Sequence, residues 1–203
     1  MPRESYDEAL EALRADVLAL GETVFERLER AIEAHESGDE EVASEVVAGD
    51  EEVNERYLAI ESDCIELLAL QQPVAGDLRF VAASFKILTD IERIGDLATN
   101  LAAHAVERER ELFPDVNIRD LAELAAEMVA EALAAYESGD ATSARHIGER
   151  DDELDGLCGR VGQLVVRDLV VEHRADDVET VLPEIERLLL TIRDIVRAAM
   201  LTA

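Results

Sequence analysis

Three oxygen-bearing side chains recur at helical spacing in the segment LTDIERIGDLATN, which runs from Leu88 to Asn100. Glu92, Asp96 and Asn100 follow one another at intervals of four residues, so in an α-helix they lie on one face. Carboxylate and carboxamide oxygens are the ligands preferred by hard cations such as magnesium, calcium, manganese and iron. The spacing suits part of a metal site, to which Asp77 could add a ligand only if the start of the helix folded back.

A solvated acidic face explains the same spacing, because the chain contains 48 Asp and Glu residues. Two like charges four residues apart cost a helix roughly 0.2–0.5 kcal/mol, so a nearby cation such as Arg93 is expected. Gly95 lies inside the same segment. A glycine in a helix costs about 1 kcal/mol and commonly marks the close approach of another backbone or a ligand. The residues alone leave both explanations open.

The charge of the chain is strongly unbalanced. Its 48 acidic and 19 basic residues give a net charge of −29, and Lys86 is the single lysine. Such a surface repels nucleic acid and anionic membranes, so neither is an expected partner. The acids are spread through apolar periodicity, as in proteins of salt-accumulating halophiles, where salt screens their repulsion. We therefore expect the midpoint of thermal unfolding to rise from low to molar salt.

The composition favours an all-α fold, since 48% of the 203 residues are apolar and only 3% are aromatic. The first predicted helix runs from Tyr6 to His35. It ends where Gly38 suits a left-handed residue and Asp39 can cap the next helix. The second predicted helix then continues to about Leu70.

A third helix is predicted after Pro73, and it places the acidic stripe beside an apolar seam. The seam residues are Phe80, Ile87, Ile91, Ile94, Ala98, Leu101 and Ala105. Pro114 ends this pattern, and the next seam is Leu121, Ala125, Met128, Ala132 and Ala135. Continued to the end of the chain, the periodicity predicts six helices.

The two halves of the chain repeat. The sequence ESGD occurs at residues 36–39 and again at 137–140, and the acidic patches DEEVN and DDELD, which begin at Asp50 and Asp151, keep the same offset. This duplication predicts two tandem three-helix bundles, over residues 1–113 and 114–203.

Features of a membrane or disulfide-bonded protein are missing from the sequence. The N-terminal residues lack the apolar core of a signal peptide. The sequence also contains no run of 18 uncharged apolar residues, the length that would indicate a transmembrane helix. We expect a soluble, cytoplasmic protein without membrane insertion. Cys64 and Cys158 have no CxxC spacing, which favours reduced thiols in the core.

Residues 67–102, LLALQQPVAGDLRFVAASFKILTDIERIGDLATNLA, closely resemble the signature of the PhoU family of phosphate-uptake regulators. The resemblance rests on QPVAxDLR combined with DIERIGDxAxN, and the duplicated helices extend it over essentially the whole chain. It implies two three-helix bundles and negative regulation of phosphate uptake and signalling. The implied partners are the ATPase subunit on the cytoplasmic side of the phosphate ABC transporter and often a sensor histidine kinase. We also expect a homodimer.

The same resemblance implies a carboxylate motif in each repeat, at which some family members bind iron, zinc, magnesium or manganese. Glu92 and Asp96 match the motif of the first repeat. The residues expected to support the site or bind a partner are Asp77, Arg79, Asp90, Arg93 and Asn100. In this part of the second repeat the offset shifts to 104 residues, since Asp90, Ile91 and Arg93 correspond to Asp194, Ile195 and Arg197. Val196 and Met200 then stand at the motif positions, so we expect a metal only in the first repeat.

Two other functions are compatible with an acid-rich helical chain. A di-iron enzyme would normally carry Glu-x-x-His pairs, but none of the four histidines has a glutamate three residues before it. No catalytic residue is predicted, because no nucleophile elbow or glycine-rich phosphate loop is present. The chain is therefore predicted not to be an enzyme, and a purely structural helical adaptor stays open.

Overall fold

The computed structural model describes residues 3–70, 75–107 and 118–139, together with residues 142, 143, 146 and 156. The described ranges contain five helices and no strand. The helices are α1 Arg3–Ser37, α2 Glu40–Ala48, α3 Asp50–Leu70, α4 Ala75–Glu107 and α5 Ile118–Ser138. Within these ranges, every helix is too short or too polar to cross a membrane.

The turn predicted between the first two helices is present. Gly38 has a φ of 68°, in the left-handed region that favours glycine. The Asp39 carboxylate then caps α2 by accepting hydrogen bonds from the backbone N–H groups of Glu41 and Val42. Gly139, at the equivalent position of the repeated ESGD sequence, follows α5 with a φ of 63°. The duplicated sequence therefore forms the same helix end twice.

The second predicted helix is interrupted at Gly49, so the prediction of one continuous helix to Leu70 is wrong. Its C-terminal end at Leu70 is confirmed. Arg27 of α1 reaches the interruption, where its Nη2 donates a hydrogen bond to the carbonyl oxygen of Val46 at 2.6 Å. A side chain on Gly49 would collide with the Arg27 guanidinium. The break thus makes room for an arginine from another helix.

The core of the first repeat lies between α1, α2, α3 and α4. Fully buried side chains include Leu13, Val17, Leu20, Val24, Val53, Val81 and Leu88. The predicted seam of α4 is confirmed where its side chains are described: Ile87, Ile91, Ile94 and Ala98 are buried, and Phe80 and Leu101 are half-buried. Cys64 is buried in this core, and burial raises the pKa of its thiol to about 11. Cys158 lies outside the described residues.

Helix α5 packs on α1. Its predicted seam is confirmed at Met128, Ala132 and Ala135, which are buried. The side chains of Leu121 and Ala125 lie outside the described set. This packing attaches the first helix of the second repeat to the first repeat.

A cluster of four side chains, here called the junction, joins α1, α4 and α5. It consists of Arg14, Phe80, Ser84 and Tyr136. The rings of Phe80 and Tyr136 stack with centroids 5.9 Å apart, and the Arg14 guanidinium lies 4.7 Å from the Phe80 centroid. The Tyr136 hydroxyl is 2.8 Å from Ser84 Oγ. Arg14 also donates to the carbonyl oxygens of Tyr136 and Glu137, each at 3.0 Å, and so caps the last turn of α5.

Candidate metal and partner site

Helix α4 presents the predicted stripe at the edge of the buried seam. Glu92 is half-buried, whereas Asp96 and Asn100 are exposed. One turn of helix separates each of these residues from the next. The stripe is therefore reachable by an ion or a partner while the seam holds α4 in the bundle.

A third carboxylate, Asp50, faces the stripe from the first turn of α3. Burial raises the pKa of Glu92, and the negative charges of Asp96 and Asp50 raise it further, while Arg93 opposes the shift. The pKa of Asp96 is likewise raised, by burial first and then by Asp50. Glu92, Asp96 and Asp50 are here called the carboxylate cluster. Asp50 therefore makes the ionisation of both other carboxyl groups less favourable, and Asp96 does the same for Glu92.

Asp50 is held in place through both of its carboxylate oxygens. Thr99 Oγ1 donates to Oδ1 at 2.8 Å, and Asn54 Nδ2 donates to Oδ2 at 3.2 Å. Arg27 Nη2 lies 3.9 Å from Oδ1. The sequence had shown Asp50 only as part of a repeated acidic patch. Because 42 residues separate it from Glu92, no helical spacing could have joined the two.

The other predicted site residues are distributed along α4. Asp77 and Arg79 lie in its first two turns, so at 1.5 Å per residue Asp77 is ~22 Å along the axis from Glu92. The helix is continuous and does not fold back, which separates both residues from the carboxylate cluster. Asp90 is buried, with Oδ1 3.7 Å from Arg93 Nη1. Arg93 therefore supplies the cation that was expected beside the acidic stripe.

Gly95 marks a close approach of three helices. A Cβ atom at this position would lie 3.3 Å from Val53 Cγ1 of α3 and 3.6 Å from Val24 Cγ2 of α1. The packing of neighbouring side chains thus accounts for the glycine that the sequence left open. Because Gly95 has no side chain, α4 can lie close to α3 next to the carboxylate cluster.

The carboxylate cluster has the donor chemistry of a hard-cation site, since all its ligating atoms are oxygens. In the described ranges, however, there is no group of three or more His, Cys, Asp or Glu side chains that could hold a metal ion. Magnesium commonly keeps several waters and takes only one or two protein carboxylates. The residues therefore fit a hydrated cation better than one enclosed by protein ligands. Val196 and Met200 of the second repeat lie outside the described residues.

Removing charge from the carboxylate cluster should stabilise the protein at neutral pH. The double change Glu92→Gln with Asp96→Asn is expected to raise the free energy of unfolding by roughly 0.2–0.5 kcal/mol in a metal-chelating buffer, because it relieves like charges four residues apart. Because the pKa values of Glu92 and Asp96 are raised in the folded state, protonated carboxyl groups stabilise the fold relative to the unfolded chain. This stabilisation is fully present below the ordinary pKa values of the two groups. It is lost as the pH rises through their folded-state pKa values. The gain should therefore vanish near about pH 3.

Urea unfolding at both pH values measures this difference. Asp16→Asn is the matched control, since Asp16 is exposed on α1 and has no acid three or four residues away. A loss of stability at neutral pH, or an equal gain in acid, would contradict the assigned repulsion.

The described structure defines a class of all-helical proteins with a duplicated helix-ending turn and an acidic face between two helices of the first repeat. The sequence model of the PhoU domain matches residues 17–105 and again residues 118–202. The chain belongs to the PhoU family. The two matches agree with a tandem repeat, and the boundary between residues 113 and 114 stays a prediction.

Curated relatives share this assignment. A protein of Aquifex aeolicus named phosphate-specific transport system accessory protein PhoU homolog is 37% identical over 150 residues, which cover 73% of this chain and 68% of the relative. The phosphate-specific transport system accessory protein PhoU of Serratia marcescens is 31% identical over 194 residues, covering 95% of this chain and 77% of the relative.

Solved structures have the same architecture. The phosphate transport system regulatory protein PhoU from Streptococcus pneumoniae superposes with a TM-score of 0.82 at 25% identity, covering 97% of this chain and 96% of that one. PhoU from Pseudomonas aeruginosa superposes with a TM-score of 0.79 at 28% identity, covering 96% and 93%. These matches support two tandem helical bundles as the fold of the whole chain.

Proposed function

We propose that the chain is a negative regulator of phosphate uptake, acting on the cytoplasmic ATPase subunit of a phosphate ABC transporter. The observation that carries the proposal is the PhoU domain matched twice along the chain, together with relatives named as accessory proteins of phosphate-specific transport. A sensor histidine kinase is a further partner to be tested.

The carboxylate cluster is proposed as a cation-dependent part of this regulator. Glu92 and Asp96 would hold the ion, and Asp50 would add negative charge from α3. A bound iron, zinc, magnesium or manganese ion would neutralise this negative charge, which lies where the pKa values of Glu92 and Asp96 are both raised. Calorimetry with these four metals should show binding that is lost in Glu92→Ala with Asp96→Ala. Binding that survives this double change would place the metal elsewhere.

Regulation is tested by deleting the gene and measuring phosphate uptake while phosphate is plentiful. Uptake should rise in the deletion strain and return to the parental rate when the wild-type protein is restored. Restoration by Asp16→Asn but not by Glu92→Ala with Asp96→Ala would connect the carboxylate cluster to regulation. Parental uptake in the deletion strain, combined with no co-precipitation of the transporter ATPase, would refute the proposal.

A further inference from the structure

Arg27 of α1 is a mostly buried cation that lies next to Asp50 of the carboxylate cluster. The Arg27 side chain is 11% exposed and that of Asp50 is 31% exposed, and Arg27 Nη2 lies 3.9 Å from Asp50 Oδ1. Asp50 thus lies beside a buried positive charge while part of its own side chain remains open to solvent. A cation arriving from solvent could reach the same carboxylate.

The negative charge of Asp50 acts on the rest of the carboxylate cluster. It raises the pKa values of Glu92 and Asp96, although burial is the larger cause in both. A charge that acts on these two carboxyl groups also acts on an ion held by them. The attraction of the cluster for a cation therefore includes the charge of Asp50. A positive charge that neutralises Asp50 from inside the bundle should weaken that attraction.

The Thr99 hydroxyl can release Asp50 without losing a hydrogen bond. Its single proton has two acceptors within reach, Asp50 Oδ1 at 2.8 Å and the Gly95 carbonyl oxygen at 3.0 Å. If a cation takes Asp50 Oδ1, the proton can turn to Gly95. Thr99 Oγ1 would still accept the hydrogen bond that Arg27 Nη2 donates at 3.2 Å. Asp50 Oδ1 can therefore pass from one cation to another at little cost in hydrogen bonding.

Arg27 depends on Asp50 for its charged form. Burial lowers the pKa of Arg27, and Asp50, ahead of Glu52, opposes this by favouring the charged guanidinium. Arg27 Nε is buried and has no hydrogen-bond acceptor in the part of the chain that the structure describes. A buried cation that loses its anion is strongly disfavoured. If Asp50 is taken by another cation, the guanidinium should move toward water.

We propose that Arg27 and an external divalent cation compete for Asp50, so that Arg27 sets the concentration at which the carboxylate cluster binds a cation. Arg27 holds Asp50 and opposes binding, and a divalent ion must displace it. This inference rests on the cation site of the proposed function and adds regulation of that site from within the fold. Removing Arg27 should therefore strengthen cation binding, whereas removing a residue that only supports the site would weaken it.

Calorimetry with magnesium tests the competition in about 1 M potassium chloride, where screening within roughly 3 Å suppresses binding to exposed acids but acts less on a buried pair. Arg27→Gln should bind magnesium about tenfold more tightly than the wild type, a coupling of ordinary size between two sites. Arg27→Lys restores the positive charge and should reverse most of this gain. Thermal melting followed by circular dichroism checks that each variant is folded.

Arg30→Gln is the matched control for net charge. Arg30 also lies on α1, but its ion pair with Glu45 is about half exposed, so salt screens it. Its magnesium affinity should stay within about twofold of the wild type. Binding by Arg30→Gln that is as tight as that by Arg27→Gln would overturn the proposal, because the gain would then come from net charge alone.

The Nε–H proton of Arg27 in the wild-type protein provides a measurement that needs no variant. Saturating magnesium should speed the exchange of this proton with water, followed by NMR, at least about fivefold, because the guanidinium leaves Asp50 and approaches solvent. An ion that only stabilised the fold would slow the same exchange. Unchanged or slower exchange would therefore contradict the competition.

Failure of the competition and failure of the cation site give different results. Wild-type binding that is lost in Glu92→Ala with Asp96→Ala, but is equal or weaker in folded Arg27→Gln, would overturn the competition and leave the cation site standing. No magnesium binding by either the wild type or Arg27→Gln would overturn the competition together with a magnesium site at the carboxylate cluster. Phosphate uptake in the deletion strain would still decide the regulatory function.

Discussion

Replacing Arg27 by alanine is expected to lower the free energy of unfolding by about 3 kcal/mol, because it removes one member of a mostly buried polar network. The Arg27 side chain is only 11% exposed. It donates to the Val46 carbonyl at 2.6 Å and to Thr99 Oγ1 at 3.2 Å, and it lies 3.9 Å from Asp50. Burial lowers the pKa of Arg27, while Asp50 and Glu52 favour its charged form. Its loss would leave a buried carbonyl and a carboxylate without their cation.

Arg30→Ala provides the matched control. Arg30 forms an ion pair with Glu45, but both side chains are about half exposed, so removing the pair should cost no more than about 0.5 kcal/mol. Gly49→Ala provides an independent test of the same network, because the new methyl group would displace the Arg27 guanidinium and cost roughly 1–3 kcal/mol. Urea unfolding measures all three variants. Equal, small losses for Arg27→Ala and Arg30→Ala would show that the network contributes little.

Truncating Tyr136 to alanine should produce an effect of similar size, a loss of about 3 kcal/mol, because Tyr136 is only 4% exposed and fills the junction between the repeats. Tyr136→Phe retains the stacking on Phe80 and removes only the hydroxyl, so it should cost about 1 kcal/mol. Burial raises the pKa of Tyr136 to about 12. Ser84 keeps a second partner, the Phe80 carbonyl at 2.9 Å.

Tyr57→Phe is the control for the hydroxyl, since the hydrogen bond of Tyr57 to Glu61 is only partly buried and its loss should be nearly neutral. Denaturation gives the free energies, and hydrogen exchange locates the change. In Tyr136→Ala, backbone amides of α5 should lose more protection than those of α2, because the junction attaches α5 to α1 and α4. An equal loss of protection in both helices would mean that the junction supports the whole fold and not specifically the attachment of the second repeat.

The sequence by itself determined the features that depend on local rules. Gly38 and Asp39 specify a helix end and the next cap through backbone conformation and side-chain hydrogen bonding, and the structure has both. The alternating steps of three and four residues predicted the buried seam of α4, and the four-residue spacing placed Glu92 and Asp96 beside it. The long signature around these residues led to the family that the domain matches show. Each of these inferences uses residues that are close together in the chain.

Only the tertiary structure decided which distant residues meet. The interruption at Gly49 depends on Arg27, which approaches from α1, and helical periodicity contains no information about that approach. Asp50 joins Glu92 and Asp96 because the register between α3 and α4 brings opposite ends of the two helices together. Tyr136 similarly reaches Ser84 across 52 positions of sequence. Local spacing sets the face on which a side chain lies, but the rotation and register of packed helices set its neighbours, and these depend on the whole core at once.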